Sequence, residues 1–190
     1  NIYVRSERAG QRVMESVKRF ITTKLKLKVN ESKSAVAKPQ QRKFLGFSFT
    51  RGKELKRKIA PKAIDRFKER VREITGRIRG ISMDERIKEL AQYMGGWLGY
   101  FGFCQTPSVF NQLNSWVRRR IRCVFWQQWK TGRTRYQELV NRGVRRDLAA
   151  DTAGARRGPC RVSQSPALTI ALPNAYLHLL GIPKLCVAQA

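Results

Sequence analysis

The stretch PKAIDRFKERVREITGRIRG, residues 61–80, decides the fold. Its apolar residues recur at spacings of three and four positions, so they share one face of a helix. These residues are Ile64, Phe67, Val71, Ile74 and Ile78. Gly80 is suited to end the helix, because glycine readily adopts the left-handed conformation found after a last turn. A helix with one apolar face must bury that face, so the stretch predicts one member of a helical bundle.

Two further helices are predicted downstream of this stretch. Ser82 and Glu85 have the spacing of a capping box, and Thr106 followed by Pro107 is typical of a helix start. The apolar stripe of the second helix comprises Ile87, Leu90, Met94, Leu98 and Phe101, and that of the third Val109, Leu113, Trp116, Val117, Ile121 and Phe125. Three amphipathic helices with short connections predict a bundle. More helices are expected at 136–142 and 166–180, separated by the Gly/Arg-rich segment 154–161.

The part of the chain before this bundle has a different periodicity. Apolar and polar residues alternate over 1–6 and again over 24–29, which predicts two strands. Between them, Ser6 is a suitable N-cap for a helix carrying Val13, Val17, Phe20 and Ile21 on one face. Residues 44–59 are expected to form a hairpin with its turn at 51–53, and with Leu45, Phe47 and Phe49 on one face. The predicted fold class is therefore α+β, a strand-helix-strand and a hairpin followed by a helical region.

Charge points to the class of partner. Lys and Arg total 40 against 13 Asp and Glu, a formal net charge of +27. A polyanion is the expected partner, and nucleic acid is favoured over membrane because no apolar run approaches the roughly 18 residues of a spanning helix. Two basic regions, residues 1–59 and 106–190, flank a nearly balanced middle.

The third helix carries the clearest binding signal. Four arginines crowd just over one turn beside large flat side chains, a combination suited to RNA phosphates and bases. They are Arg118, Arg119, Arg120 and Arg122, next to Trp116, Phe125, Trp126 and Trp129. The alternative is a solvated basic face with tryptophans in the core. Trp126 and Trp129 lie one turn apart, so some tryptophans are expected in the core in either case.

Other candidate sites have weaker support. Cys104, Cys123, Cys160 and Cys186 lack metal-site spacing, which predicts free thiols in a reducing, cytoplasmic compartment. His178 lies in an apolar stretch and is expected to be structural. The acids Asp65, Glu69 and Glu73 lie at helical spacing among basic residues and predict a solvated ion-pair face. The glycine-rich segment 95–102 is neither a phosphate loop nor a membrane motif, and it predicts close approach of another backbone, of protein in preference to RNA.

Several phrases together resemble group II intron reverse transcriptases and maturases. LKLKVNESKS (25–34) and FLGF (44–47) resemble the late palm motifs of that family. The similar phrases in the C-terminal half are WVRRRIR (116–122), WQQWK (126–130), SQSPA (163–167) and ALPNAY (171–176). The resemblance implies a palm remnant at 1–59, a thumb bundle at 60–130 and the remainder of the maturase-specific X domain at 131–190.

The resemblance also implies where function resides. Lys33 would lie near an incoming triphosphate, or be an ordinary turn lysine; Phe44, Leu45, Gly46 and Phe47 would form the primer grip, or a simply packed hairpin. The implied RNA-binding residues are Arg118, Arg119, Arg120, Arg122, Lys130, Arg133, Arg135, Arg156, Arg157 and Arg161. A strand such as 1–6 follows a Tyr-Ala-Asp-Asp turn in the family, so the metal-binding aspartates would precede Asn1. No catalytic or metal-binding residue is then expected within this chain, and Mg²⁺ would be a cofactor of the full-length parent alone.

The expected function is that of a fragment of a reverse transcriptase and maturase that binds group II intron RNA to assist splicing. In the full-length parent it would also hold template-primer for RNA-templated DNA synthesis. The alternative is a non-catalytic RNA-binding remnant of a decayed mobile element, which is favoured by Cys160 at a position where the family commonly has tryptophan. A generic ribosomal-type RNA-binding protein is a third possibility. The chain by itself is expected not to extend a primer.

Overall fold

The structure is a computed structural model that describes residues 1–51 and 54–186, with the side chain of Ile78 outside the description. Residues 52 and 53, part of the predicted 51–53 turn, also lie outside the described residues. The chain divides into two compact units, residues 1–55 and 56–190. The second unit is the larger of the two and contains every helix from residue 61 onward. The predicted domain boundaries, one between residues 59 and 60 and one between residues 130 and 131, stay predictions.

The first unit contains one long helix, α1, Glu7–Thr23. Ser6 is its N-cap as predicted, with its Oγ accepting a hydrogen bond from the Ala9 N–H at 3.2 Å. The two predicted strands are wrong, since residues 1–6 and 24–29 are irregular, and Lys26 has a φ of 54°. Alternation of apolar and polar residues indicates that one face of a segment suits burial. A strand also needs a neighbouring strand that pairs with its backbone N–H and carbonyl groups. Neither segment pairs with a strand among the described residues.

A tight turn follows at residues 44–47. The N–H of Phe44 donates to the Phe47 carbonyl and the N–H of Phe47 to the Phe44 carbonyl, both at 2.9 Å. The two residues between them, Leu45 and Gly46, have φ of 50° and 80°, the left-handed pair of a tight hairpin turn. Strand β1, Phe47–Phe49, begins at this turn. The prediction that Leu45 shares a face with Phe47 and Phe49 is wrong, because Leu45 is in the turn and 65% exposed.

The second unit begins with strand β2 and continues as helices. Their bounds are β2 Arg57–Ile59, α2 Pro61–Ile74, α3 Met83–Phe101, α4 Pro107–Gln128, α5 Gly132–Asn141, α6 Arg146–Gly154, α7 Pro159–Val162, α8 Pro166–Ala171 and α9 Asn174–Leu179. The helix starts agree with the sequence signals: Ser82 Oγ accepts from the Glu85 N–H at 3.1 Å, and Pro107 is the first residue of α4. Helices dominate, and β1 and β2 are short, so the α+β fold class is confirmed.

Helix α2 is shorter than predicted. It ends at Ile74, and Arg77–Arg79 form a separate 3₁₀ turn. Gly80 follows with a φ of 63°, so this glycine ends the 3₁₀ turn and not the α-helix. The predicted stripe otherwise forms the core as expected: Phe67, Val71 and Ile74 are fully buried. They share that core with Leu90, Met94, Phe110, Leu113, Val117 and Ile121 of α3 and α4, each at most 2% exposed.

The C-terminal helices differ from the prediction in number. The single helix expected at 166–180 is two helices, α8 and α9, because Pro173 lacks an N–H and cannot continue α8. The Gly/Arg-rich segment 154–161, expected as a separator, includes the start of the short helix α7. The last described segment is held by Asn114, whose Nδ2 donates to the Leu185 carbonyl at 2.7 Å and whose Oδ1 accepts from the Leu185 N–H at 2.9 Å.

Candidate nucleic-acid interface

Two arginines from different helices bind the C-terminal end of α2. Buried Arg86 of α3 donates through Nη1 to the carbonyls of Ile74 and Gly76 at 2.7 and 2.8 Å. Arg120 of α4 donates through Nε and Nη2 to Thr75 Oγ1 at 3.1 and 2.8 Å. Cations stabilise this end of a helix, where carbonyls lack intrahelical partners. Arg120 was predicted from sequence to bind RNA, and the structure gives it an intramolecular partner as well.

Arg122 is also directed into the protein. It is 9% exposed, and it donates through Nε to the Leu172 carbonyl at 3.0 Å and through Nη2 to Asn174 Oδ1 at 3.2 Å. Burial, followed by the nearby charge of Arg118, lowers the pKa of the Arg122 guanidinium. These contacts tie α4 to the loop before α9, so half of the predicted arginine cluster holds the fold together.

The other half of the cluster lines two cavities. Arg118 lies in a cavity of about 210 Å³ together with His178 and Lys184. Arg119 lies in a groove of about 630 Å³ between α4 and the α7–α8 region. Neither arginine makes a hydrogen bond or an ion pair with another residue in the described ranges. These two guanidinium groups, and not all four, are available to a ligand.

The tryptophans of this region are largely structural, as expected. Trp126 and Trp129 are 1% and 6% exposed. Arg135, another predicted RNA-binding residue, has its guanidinium carbon 4.6 Å from the centre of the Trp126 ring, and its Nε donates to the Trp129 carbonyl at 2.8 Å. Arg142 packs on Trp129 and two further rings at 5.1 to 5.9 Å. Such cation–π contacts hold these arginines against the core.

Four of the remaining predicted cations lie on two segments that approach each other. Lys130 and Arg133 flank Gly132 at the start of α5, while Arg156 and Arg157 follow the end of α6, and all four are exposed. A Cβ placed on Gly132 would lie 3.7 Å from the Ala153 carbonyl oxygen, so the two segments are neighbours in space. We call Lys130, Arg133, Arg156 and Arg157 the basic patch. Arg161, the last predicted residue, is exposed on α7.

The groove that holds Arg119 differs in character from the basic patch. Its other lining residues are Asn111, Gln112, Ser115, Trp116, Arg122, Ser163, Gln164 and Thr169. Every one of these except Trp116 and Arg122 is polar and uncharged, and no acidic residue lines the groove. Trp116 is half-buried, with the Arg72 guanidinium carbon 5.6 Å from its ring centre. We call this feature the α4 groove.

The predicted sites of the first unit lie on exposed turns. The backbone N–H of Lys33 donates to Asn30 Oδ1 at 3.1 Å, while its side chain is exposed. Phe44 and Leu45 are 55% and 65% exposed, and Gly46 lies at the centre of the tight turn. This geometry accounts for the glycine by the turn itself. The assignments of Lys33 to a triphosphate and of Phe44, Leu45, Gly46 and Phe47 to a primer grip stay predictions.

Three glycines of the glycine-rich segment face away from the core, although Trp97 and Phe101 of the same segment are buried. Gly95, Gly96 and Gly99 lie on an exposed face of α3, and a Cβ built on any of them would meet no described atom within 4 Å. The preference for close packing of another protein backbone is therefore wrong within the described residues. These glycines leave a smooth, open helix face.

The cysteines are free, and one pair is close. Sγ of buried Cys123 lies 3.5 Å from Sγ of exposed Cys160. Burial, followed by the contact with Cys160, raises the pKa of the Cys123 thiol to about 12. Cys160 is at the protein surface, so its small side chain leaves no buried void at this position.

Within the described ranges, no group of three or more His, Cys, Asp or Glu residues is arranged to hold a metal ion.

Comparison with known proteins agrees with this architecture. Residues 64–143, from α2 through α5, match the family model of the group II intron, maturase-specific domain. This region is therefore similar to the maturase-specific domain. The match confirms the resemblance for the C-terminal region and implies a role in group II intron splicing. No curated protein matches the chain. No helix in the described ranges is both long and apolar enough to cross a membrane.

Sequence reasoning missed three residues that organise this domain: Arg86, Asn114 and Arg142. Arg86 and Asn114 lie in helices and Arg142 directly follows α5, and an exposed position is the ordinary expectation for such polar residues. Arg86 has one available signal, since it lies directly before Ile87 and four positions before Leu90 on the apolar side of α3. The partner of Asn114 lies 71 residues away and leaves no local pattern. Arg142 has one local partner, Glu138, four positions earlier at 3.2 Å, but the rings on which it packs are not specified by the local sequence.

Proposed function

We propose that the helical unit binds the structured RNA of a group II intron and thereby assists its splicing. The match to the maturase-specific domain carries the proposal, because it connects the chain with this class of RNA. The basic patch supports it: four exposed cations from two segments lie together, and phosphate contacts of this kind supply most of the affinity for RNA. Arg118, Arg119 and Arg161 extend the available positive charge.

The test is the salt dependence of RNA binding. Affinity of the 190-residue chain for an in vitro transcribed group II intron is measured by fluorescence anisotropy between 50 and 300 mM KCl. Replacing Lys130, Arg133, Arg156 and Arg157 by Gln removes four possible phosphate contacts. The slope of log affinity against log salt concentration is then expected to fall by about 3 to 4.

A matched control removes the same charge elsewhere on the unit. Lys62, Arg66, Arg77 and Lys88 are exposed and lie outside the basic patch, so their replacement by Gln is expected to lower the slope much less. Equal slopes for the two quadruple variants would contradict an RNA interface at the basic patch. Equal affinity of the wild type for the intron and for an unrelated structured RNA of similar length would favour a generic RNA-binding protein.

We also propose that reverse transcription belongs to a longer parent protein and not to this chain alone. Nucleotidyl transfer by two metal ions needs converging carboxylates, and the palm that would supply them is implied only by the resemblance. The purified chain is expected to show no Mg²⁺-dependent extension of a primer on an RNA template. Template-primer binding, and the role of Lys33 and Phe44 to Phe47 in it, are part of this proposal.

A further inference from the structure

The α4 groove is lined mainly by uncharged polar side chains, although the protein is strongly basic. Residues 90–117 and 162–183 contain no Asp, Glu, Lys or Arg, and these two segments supply all of the lining except Arg119 and Arg122. Arg119 and Arg122 are the two cations of the lining. The groove is thus chemically distinct from the basic patch, because most of its lining is polar and uncharged.

The lining residues leave many hydrogen-bonding groups available. The side chains of Asn111, Gln112, Ser115 and Gln164 are exposed, and within the described part of the chain none of them hydrogen-bonds another residue. Amide side chains both donate and accept, so they match the mixed donors and acceptors on the edge of a nucleobase. The volume of about 630 Å³ falls within the range of small-ligand sites.

Stacking and charge are supplied at the same place. Trp116 contributes a half-buried indole ring to the lining, and unpaired bases commonly stack on such rings. Among the described residues, Arg119 has no intramolecular acceptor, whereas Arg122 is bound to Leu172 and Asn174. Arg119 is therefore available to contact the single phosphate that accompanies a base. No carboxylate from the described part of the chain lines the groove.

From this arrangement we infer that the α4 groove binds an unpaired base of single-stranded RNA and distinguishes among bases, whereas the basic patch provides sequence-independent affinity. Phosphate contacts position an RNA and base contacts specify it, so the two surfaces divide these tasks. The inference rests on the proposed function, because it names which part of the RNA this domain reads. It predicts that selectivity and salt dependence can be altered separately.

The experiment uses the full chain and fluorescein-labelled RNA 12-mers: A12, U12, C12 and a 12-base-pair duplex. Wild type is expected to prefer at least one single strand over the duplex and to differ about tenfold among the homopolymers. Replacing Gln112 and Gln164 by Ala is expected to reduce the affinity for the preferred homopolymer about tenfold. The affinity for the duplex and the salt slope are expected to stay unchanged.

The control variant replaces Gln92 and Gln128, which are exposed on α3 and α4 outside the groove, and is expected to bind as wild type. Tryptophan fluorescence confirms that each variant is folded. Unchanged homopolymer affinity in the Gln112/Gln164 variant would overturn the inference. A salt slope lowered by about one in that variant would also overturn it, because the groove would then hold phosphate. Wild-type chain that binds the intron RNA but none of these 12-mers would also overturn the inference and leave the proposed function standing, whereas failure to bind the intron itself would refute the proposed function.

Discussion

Replacement of Arg86 by Met tests the idea that arginines fasten the end of α2. Methionine keeps most of the apolar stem, so the change mainly removes the guanidinium and its two hydrogen bonds to the Ile74 and Gly76 carbonyls. A hydrogen bond to a charged group contributes about 1.5 to 3 kcal/mol. The interaction of a cation with a helix C-terminus adds about 0.3 to 2 kcal/mol.

Two costs of the buried arginine reduce this gain. Arg86 is 4% exposed, and its Nε has no hydrogen-bond partner in the described part of the chain. Burial also lowers the pKa of the guanidinium, which reflects the penalty for desolvating its charge. Methionine would avoid both costs but would leave two carbonyls without a donor. We expect a net loss of about 3 kcal/mol in the free energy of unfolding.

Urea unfolding followed by tryptophan fluorescence measures this loss specifically. All four tryptophans, residues 97, 116, 126 and 129, lie in the helical unit, so the signal does not report on residues 1–55. In a thermal scan, about 3 kcal/mol corresponds to a Tm lower by about 6 to 12 °C. The control is Lys88→Met, which removes a positive charge from an exposed position of the same helix. A loss below about 1 kcal/mol for Arg86→Met, or one equal to that of the control, would refute the reasoning.

Three further predictions test other contacts. Asn114→Leu leaves the buried N–H and carbonyl of Leu185 without partners, so urea unfolding should show a loss of about 3 kcal/mol, and a loss under 1 kcal/mol would contradict the role of this contact. The pKa of the Cys123 thiol is raised to about 12 from an ordinary 9.0, so the thiol stays protonated in the folded protein. The stability that this thiol contributes is present below pH 9 and is lost as the pH rises toward 12. Treatment with iodoacetamide at pH 8.5 should leave Cys123 unlabelled, as measured by mass spectrometry. Gly46→Val places a β-branched residue at a φ of 80°, which should speed amide exchange at the first residue of β1 about tenfold; unchanged exchange would show that the turn tolerates a side chain.

The helical bundle could be predicted because its signals are local. The apolar stripe of α2, the Ser82 cap and the Thr106–Pro107 start each depend on residues within a few positions of one another, and each helix then appears where expected. The resemblance to maturases was likewise carried by short local phrases, two of which, at 116–122 and 126–130, overlap α4. Alternation of apolar and polar residues was not sufficient to predict strands at 1–6 and 24–29, because a strand depends on a neighbouring strand that the local sequence does not specify.

The division of labour among the arginines was not predictable from their spacing. Arg118 and Arg119 lie beside Arg120 and Arg122 in sequence, yet the first pair lines cavities and the second binds acceptors 45 to 52 residues away. Helical periodicity gives the direction of a side chain but not what lies opposite it. The approach of the segments that carry Arg133 and Arg156 likewise depends on how α5 packs against α6.

The two hydrogen bonds between Asn114 and Leu185 have a consequence for folding during synthesis. Residue 114 is synthesised well before residue 185, which lies 71 positions later. Arg122 is likewise synthesised before its acceptor, the Leu172 carbonyl. Until those residues emerge, α4 carries an amide and a guanidinium whose buried acceptors do not yet exist. The nascent bundle is therefore incomplete for most of its synthesis, and its final stability arrives with the last segment of the chain. A ribosome paused between these positions would hold a chain that is open to chaperones and proteases.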